Sequence, residues 1–104
     1  MPYNRNTAFR LFKTEIFANW YKDLDLYTQK IVYARLIRIE QEGHFGTVNR
    51  FDRITELKWR SGLRIYTVVV APNVFVLLGG NKNEQEKDIR KAKKILGKIN
   101  SFRS

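Results

Sequence analysis

Apolar and polar positions change period along the chain, and the change divides it into a helical half and a sheet half. Thr7 to Lys13 alternates roughly, with Phe9 and Leu11 on one side and Arg10 and Phe12 on the other. That predicts a short strand at a sheet edge. Thr14 then suits a helix N-cap, and Glu15 puts an acid in the first turn, where the helix dipole favours it. The helix over about Glu15 to Asp23 carries Ile16, Phe17, Trp20 and Tyr21 as a core-facing stripe, with Leu24 at its end. A second helix starts at Asp25 or Thr28 and runs to about Glu42, with Gly43 where a terminating glycine belongs. Its Ile31, Val32, Leu36, Ile37 and Ile39 spread over more than half of the circumference, which predicts a helix sandwiched between the first helix and a sheet. The short Asp23-Leu24-Asp25 link predicts an antiparallel helical hairpin.

Beyond the His44 to Thr47 loop the period becomes two. In Ile54 to Trp59 the residues Ile54, Glu56 and Lys58 share one face, and Thr55, Leu57 and Trp59 the other. Arg60-Ser61-Gly62 reads as a turn. Leu63 to Ala71, rich in β-branched residues, reads as a central strand. Pro72-Asn73 makes the next turn, and Val74 to Leu78 a buried strand ending in Gly79-Gly80. These runs predict an antiparallel meander. The chain then closes with a basic amphipathic helix from Asn83 to about Phe102, in which Ile89, Ala92, Leu96 and Ile99 form the apolar stripe. The pattern predicts an α+β fold: a small antiparallel sheet with two N-terminal helices packed on it and a basic C-terminal helix. There is no repeat, low-complexity segment or linker, so residues 1–104 read as a single domain.

Composition narrows what such a domain does. In 104 residues there are 20 Lys plus Arg against 10 Asp plus Glu, a formal charge of +10. That excess favours a polyanionic partner: nucleic acid, an acidic protein or an anionic membrane. Cysteine is absent, which excludes a disulfide framework, a thiolate zinc site and a Cys nucleophile. The N-terminal segment lacks a signal-peptide apolar run, and the longest apolar stretch, Ile65 to Leu78, is interrupted by Thr67, Pro72 and Asn73. A soluble, cytoplasmic protein without membrane contact is expected. The excess charge is uneven. Residues 1–46 carry 7 basic and 5 acidic groups, residues 47–80 carry 5 and 2, and residues 81–104 carry 8 and 3. Arg64 stands inside an apolar strand, where a cation is costly unless paired or solvated. A phosphate is one reason to keep it there, since Arg binds phosphate as a fork and Lys as a point charge.

Candidate chemistry is sparse. Asp23 and Asp25 lie in a helix–helix turn, and Glu84, Glu86 and Asp88 open the last helix, where acids serve the dipole. His44, the lone histidine, reads as a loop-packing residue. Gly79-Gly80 lacks the remainder of any nucleotide-binding motif. No metal and no cofactor are expected. A site of Lys and Arg with one or two carboxylates suits RNA cleavage, because RNA supplies its own nucleophile, the 2′-hydroxyl. Cations stabilise the charge of the phosphorane, and a Lys crowded by Arg can act as a base. The composition equally permits plain RNA binding.

The segments EIFANWYKDL, IVYARLIRIEQEGHFG, ITELKWRSGLRIYTVVV and VFVLLGGNKNEQEKDIRKAKKIL, in that order, resemble the RelE/ParE toxin superfamily. Within it they resemble the HigB-like addiction-module killer proteins. The most specific pieces are Glu56-Leu57-Lys58, Gly62-Leu63-Arg64-Ile65-Tyr66 and the block from Leu77 to Ile89. The resemblance implies a type II toxin that is inactive while bound to a small, acidic antitoxin with a helix-turn-helix. It implies a metal-independent endoribonuclease that cuts mRNA, on the ribosome in many members. It places Arg64 at the scissile phosphate, Lys58 on the preceding strand where members commonly have Arg, Lys82 after the Gly-Gly pair and Asp88 at the start of the last helix. These four are the expected catalytic residues. Members with a Tyr near the position of Asp88 have no counterpart here, since Ile89 follows, and Tyr66 is the substitute. Arg60, Tyr66, Lys87, Arg90, Lys91 and Lys94 are the expected RNA contacts. The alternatives are a ParE-like inhibitor of DNA gyrase and a non-catalytic RNA or ribosome binder of the same fold.

Overall fold

The chain runs β1 (Arg10–Lys13), α1 (Glu15–Lys22), α2 (Leu26–Glu42), β2 (Val48–Phe51), β3 (Ile54–Lys58), β4 (Leu63–Val70), β5 (Asn73–Asn81), a 3-10 turn (Lys82–Glu84) and α3 (Gln85–Arg103). The computed structural model describes residues 7–103; residues 1–6, part of the segment read above for a leader, lie outside them. Thr14 caps α1 as its chemistry predicts. Its hydroxyl accepts from the Phe17 N–H at 2.9 Å and donates to the Leu77 carbonyl at 2.6 Å, so one oxygen starts the helix and ties it to β5. Gly43 ends α2 in the left-handed conformation.

The five strands form one sheet in the order β1-β5-β4-β3-β2. β2 to β5 are antiparallel neighbours, but β1 lies parallel to β5, with Leu11 opposite Val74. The sheet is therefore mixed and not the purely antiparallel meander of the sequence reading. Two helices separate β1 from the rest, long enough to return the chain to the edge in the same direction. β2 is a further strand that the period did not reveal. Its four residues, VNRF, are too few to show alternation, and pairing with β3 organises them.

Helices cover both faces of the sheet. On one face Phe17, Val32, Leu36 and Ile39 of α1 and α2 pack on Leu57, Ile65, Val74 and Val76. On the other, Ala92 and Leu96 of α3 pack on Ile54, Tyr66, Val68, Leu77 and Leu78. Burial of each large side chain contributes about 1.5–3 kcal/mol, so these two clusters dominate the stability. β5 serves both faces through an irregularity: Tyr66 pairs with Leu78 but Thr67 with Val76, which leaves Leu77 as the extra residue of a bulge. The helical stripes are narrower than the periodicity suggests. α2 fully buries only Val32, Leu36 and Ile39, and Ile16 of α1 is 41% exposed.

Gly79 and Gly80 lie within β5 and not in a turn after it. Each admits a side chain from a different face. A Cβ on Gly79 would come 2.4 Å from the Trp20 ring, and one on Gly80 would come 2.2 Å from Asp88 Oδ2. The pair lets α1 and α3 close on the same stretch of strand.

Candidate functional site

Three strands meet at one end of the sheet and bring the cations together. Lys58 of β3 pairs with Arg64 of β4, which pairs with Gly80 of β5. Between β3 and β4 the chain turns at Gly62, whose φ of 107° only glycine adopts readily. The Gly62 carbonyl accepts from the Lys82 N–H at 2.8 Å, which brings Lys82 to the turn. Around this corner lies an open cavity of about 340 Å³ lined by Thr47, Lys58, Trp59, Arg60, Arg64 and Lys82. Four cations and no carboxylate line it. Such a surface suits an anion with several oxygens, which it can meet with a fork and point charges at once.

Arg64 is the most constrained of the four, at 8% exposure. Its Nη1 donates to the carbonyls of Trp59 at 3.0 Å and Leu63 at 2.9 Å, stapling the turn from within. Its Nε stands 3.8 Å from Glu56 Oε2. Nη2 makes no hydrogen bond among the described residues, so one edge of the guanidinium is available to a ligand. Lys58 is half-buried, while Arg60 and Lys82 are exposed.

A second layer holds the walls. Arg35 of α2 reaches across to donate to the carbonyls of Phe45 at 2.9 Å, Thr47 at 2.6 Å and Lys58, and its guanidinium lies 4.3 Å from the Trp59 ring centre. Burial lowers the Arg35 pKa, but a guanidinium remains charged at neutral pH. Trp59, Thr47 and Arg35 were not singled out from the sequence. Trp59 shares a strand face with Leu57 and nothing local marks it, and Arg35 is a polar position on a helix whose reach only the packing reveals.

The other expected site residues are placed differently. Tyr66 is fully buried under α3 and offers RNA no surface. The alternation that puts Tyr66 beside Arg64 in sequence also points it into the α3 cluster. Burial, then the neighbouring Glu56 carboxylate, pushes its phenol above the ordinary range. Asp88 is 7% exposed, lies against Gly80 and does not line the cavity. Burial raises its carboxyl pKa, with Lys87 opposing. Lys87, Arg90, Lys91 and Lys94 form a separate groove of about 510 Å³ with Lys98, Ile16 and Ile95, between α3 and the start of α1. Lys87 and Arg90 also line a cleft with Lys82, Glu84 and Glu86, in which Lys87 pairs with Glu84 at 2.8 Å, so a mixed-charge strip separates the first cavity from the basic groove of α3. Among the described residues no group of three or more His, Asp or Glu side chains is placed to hold a metal ion. No helix among them is long and apolar enough to cross a membrane.

The architecture is a RelE-like α+β fold. A chain of the intact E. coli RelBE toxin–antitoxin complex superposes with a TM-score of 0.60 at 19% identity, over 71% of this chain and 96% of that one. The isolated E. coli RelE toxin superposes with a TM-score of 0.60, also at 19% identity, over 85% of this chain and 99% of that one. No protein-family model matches the sequence. No curated protein matches it either.

Proposed function

We propose that the protein is the toxin of a type II toxin–antitoxin pair and cleaves mRNA without a metal ion. The observation that carries the reading is the convergence of Lys58, Arg60, Arg64 and Lys82 on one cavity of about 340 Å³. The likeness to the RelE toxin supports it at the level of fold. The HigB-like branch is supported by the Glu56-Leu57-Lys58 and Gly62-to-Tyr66 segments. In this mechanism the free edge of Arg64, with Lys82 and Arg60, holds the phosphate. The RNA 2′-hydroxyl attacks the adjacent phosphorus as Lys58, acting in its neutral amine form, takes its proton. The P–O5′ bond breaks as the Lys82 ammonium gives a proton to the departing 5′ oxygen, leaving a 2′,3′-cyclic phosphate; solvent restores both lysines. The cations act on charge that develops at the phosphorane, so they lower the barrier more than they tighten ground-state binding.

The groove along α3 serves partners. Its cationic rim and the apolar floor of Ile16 and Ile95 suit an acidic amphipathic segment of an antitoxin in the resting complex, and the cations alone suit ribosomal RNA in the active state.

Purified protein incubated with a short RNA in EDTA tests the chemistry. Cleavage at defined positions is expected, and it should vanish when a 2′-deoxy nucleotide precedes the scissile phosphate. Arg64→Ala should cut cleavage to a small residual rate, measurable in single turnover, while circular dichroism shows a retained fold. In cells, brief induction should produce new mRNA 5′ ends inside reading frames. Intact mRNA with a DNA-damage response would instead favour the gyrase-directed alternative.

A further inference from the structure

Glu56 is a fully buried carboxylate on the strand that carries Lys58. An ionised group out of water is expensive unless its oxygens are bonded and its charge is met. Both conditions hold. Asn49 Nδ2 donates to Oε1 at 3.1 Å, and Gln85 Nε2, at the start of α3, donates to Oε2 at 2.8 Å. The cation that meets the charge is Arg64, with Nε 3.8 Å from Oε2. Three elements thus converge on Glu56, and the one ion pair it makes among the described residues is with the arginine of the cavity.

Arg64 alone is not fixed by its two turn carbonyls. Both bonds leave from Nη1, so the guanidinium can pivot about that nitrogen. Nε makes no hydrogen bond among the described residues; at 3.8 Å from Glu56 Oε2 it is drawn by charge alone, which opposes the pivot and leaves Nη2 as the remaining edge. Glu56 provides that charge from a buried position, and Asn49 and Gln85 hold Glu56 in turn. Glu56 does not line the cavity.

We propose that Glu56 is a positioning residue that locks the Arg64 guanidinium with its Nη2 edge presented to the phosphate. The inference rests on the ribonuclease reading for its effect on rate, but the locking itself is a property of the free protein. Misplacement of a catalytic group by about 1 Å can cost 10²-fold.

The test combines single-turnover RNA cleavage with ¹⁵N NMR of the arginine side chains. Glu56→Gln should lower kcat by about 10²-fold with KM within threefold, because binding by the other cations persists. In an Arg64→Ala background Glu56→Gln should cause no further loss. Cleavage by Glu56→Gln at the parent rate, or an equal loss in both backgrounds, would overturn the proposal. Should Glu56→Gln fail to fold, Gln85→Ala is the second variant. It removes one anchor of the carboxylate and keeps the charge, and it should lower kcat in the parent but not in Arg64→Ala. Cleavage by Gln85→Ala at the parent rate, or an equal loss in both backgrounds, would overturn the proposal. If the protein itself cleaves no RNA, the ribonuclease reading fails separately and the NMR signal decides. The Arg64 Nε–Hε resonance should be sharp in the parent and broadened or shifted in Glu56→Gln; an unchanged resonance would refute the lock.

Discussion

Arg35 joins three segments that are otherwise loosely connected: α2, the loop through Thr47 and the end of β3. Replacement by alanine removes three hydrogen bonds and the contact with Trp59. The magnitude follows from where each bond sits. The bond to Thr47 is solvent-exposed and contributes little. Those to Phe45 and Lys58 are partly buried, and a charged donor at half exposure contributes about 1 kcal/mol each. Stacking on Trp59 adds about 0.5–1 kcal/mol. Arg35→Ala should therefore destabilise the protein by about 2–3 kcal/mol, a fall in Tm on the order of 10 °C or more for a domain of this size. Arg35→Lys keeps the charge but not the fork, so it should recover less than half. Urea denaturation of the three proteins measures this directly. Thr47 and Lys58 line the cavity, so RNA cleavage should also fall under conditions where Arg35→Lys is fully folded. An Arg35→Ala midpoint within about 0.5 kcal/mol of the parent, the range of ordinary surface substitutions, would show that these bonds merely replace bonds to water.

Three further outcomes follow from the same geometry. Gly80→Ala should cost about 1–3 kcal/mol of stability, because its Cβ would meet Asp88 Oδ2 at 2.2 Å, and Asp88→Ala in the same chain should restore most of the loss in thermal denaturation. Tyr66 Oη is buried without a hydrogen-bond partner among the described residues, so Tyr66→Phe should be neutral or stabilising by up to about 1 kcal/mol and should cleave RNA at the parent rate; a loss of cleavage would return Tyr66 to the chemistry. Asp88 has a folded-state pKa raised by burial, so the native state holds its proton more tightly than the unfolded chain. Its contribution to stability therefore declines as pH rises from the ordinary aspartate value of about 3.9 through the raised one, and is unfavourable above it. Asp88→Asn should remove that decline, seen as a gain over the parent in urea midpoints that grows from pH 3.5 to neutrality; a gain that shrinks with pH would contradict the assignment.

Periodicity and caps were enough to determine most of the elements of this protein. Thr14, Gly43 and the apolar stripe of the last helix act within one or two turns of chain, where local chemistry dominates. The alternation of Ile54 to Trp59 was equally legible, because neighbouring residues of a strand face opposite ways whatever lies on either side. Also legible was that Lys58 and Arg64 stand on adjacent strands; Lys82 joined them only through the family resemblance. Tertiary structure alone decided the rest. The direction of β1 depends on how two helices return the chain, and the four-residue β2 exists only through its partner. Covering the second face with α3 turned Tyr66 and Glu56 from surface positions into buried ones, and the same packing gave Glu56 its contact with Arg64. Arg35 reaches carbonyls ten to twenty-three positions away, a distance over which no local pattern carries information. Local chemistry could therefore name the cations, whereas only packing could determine which of them share a cavity and what holds them there.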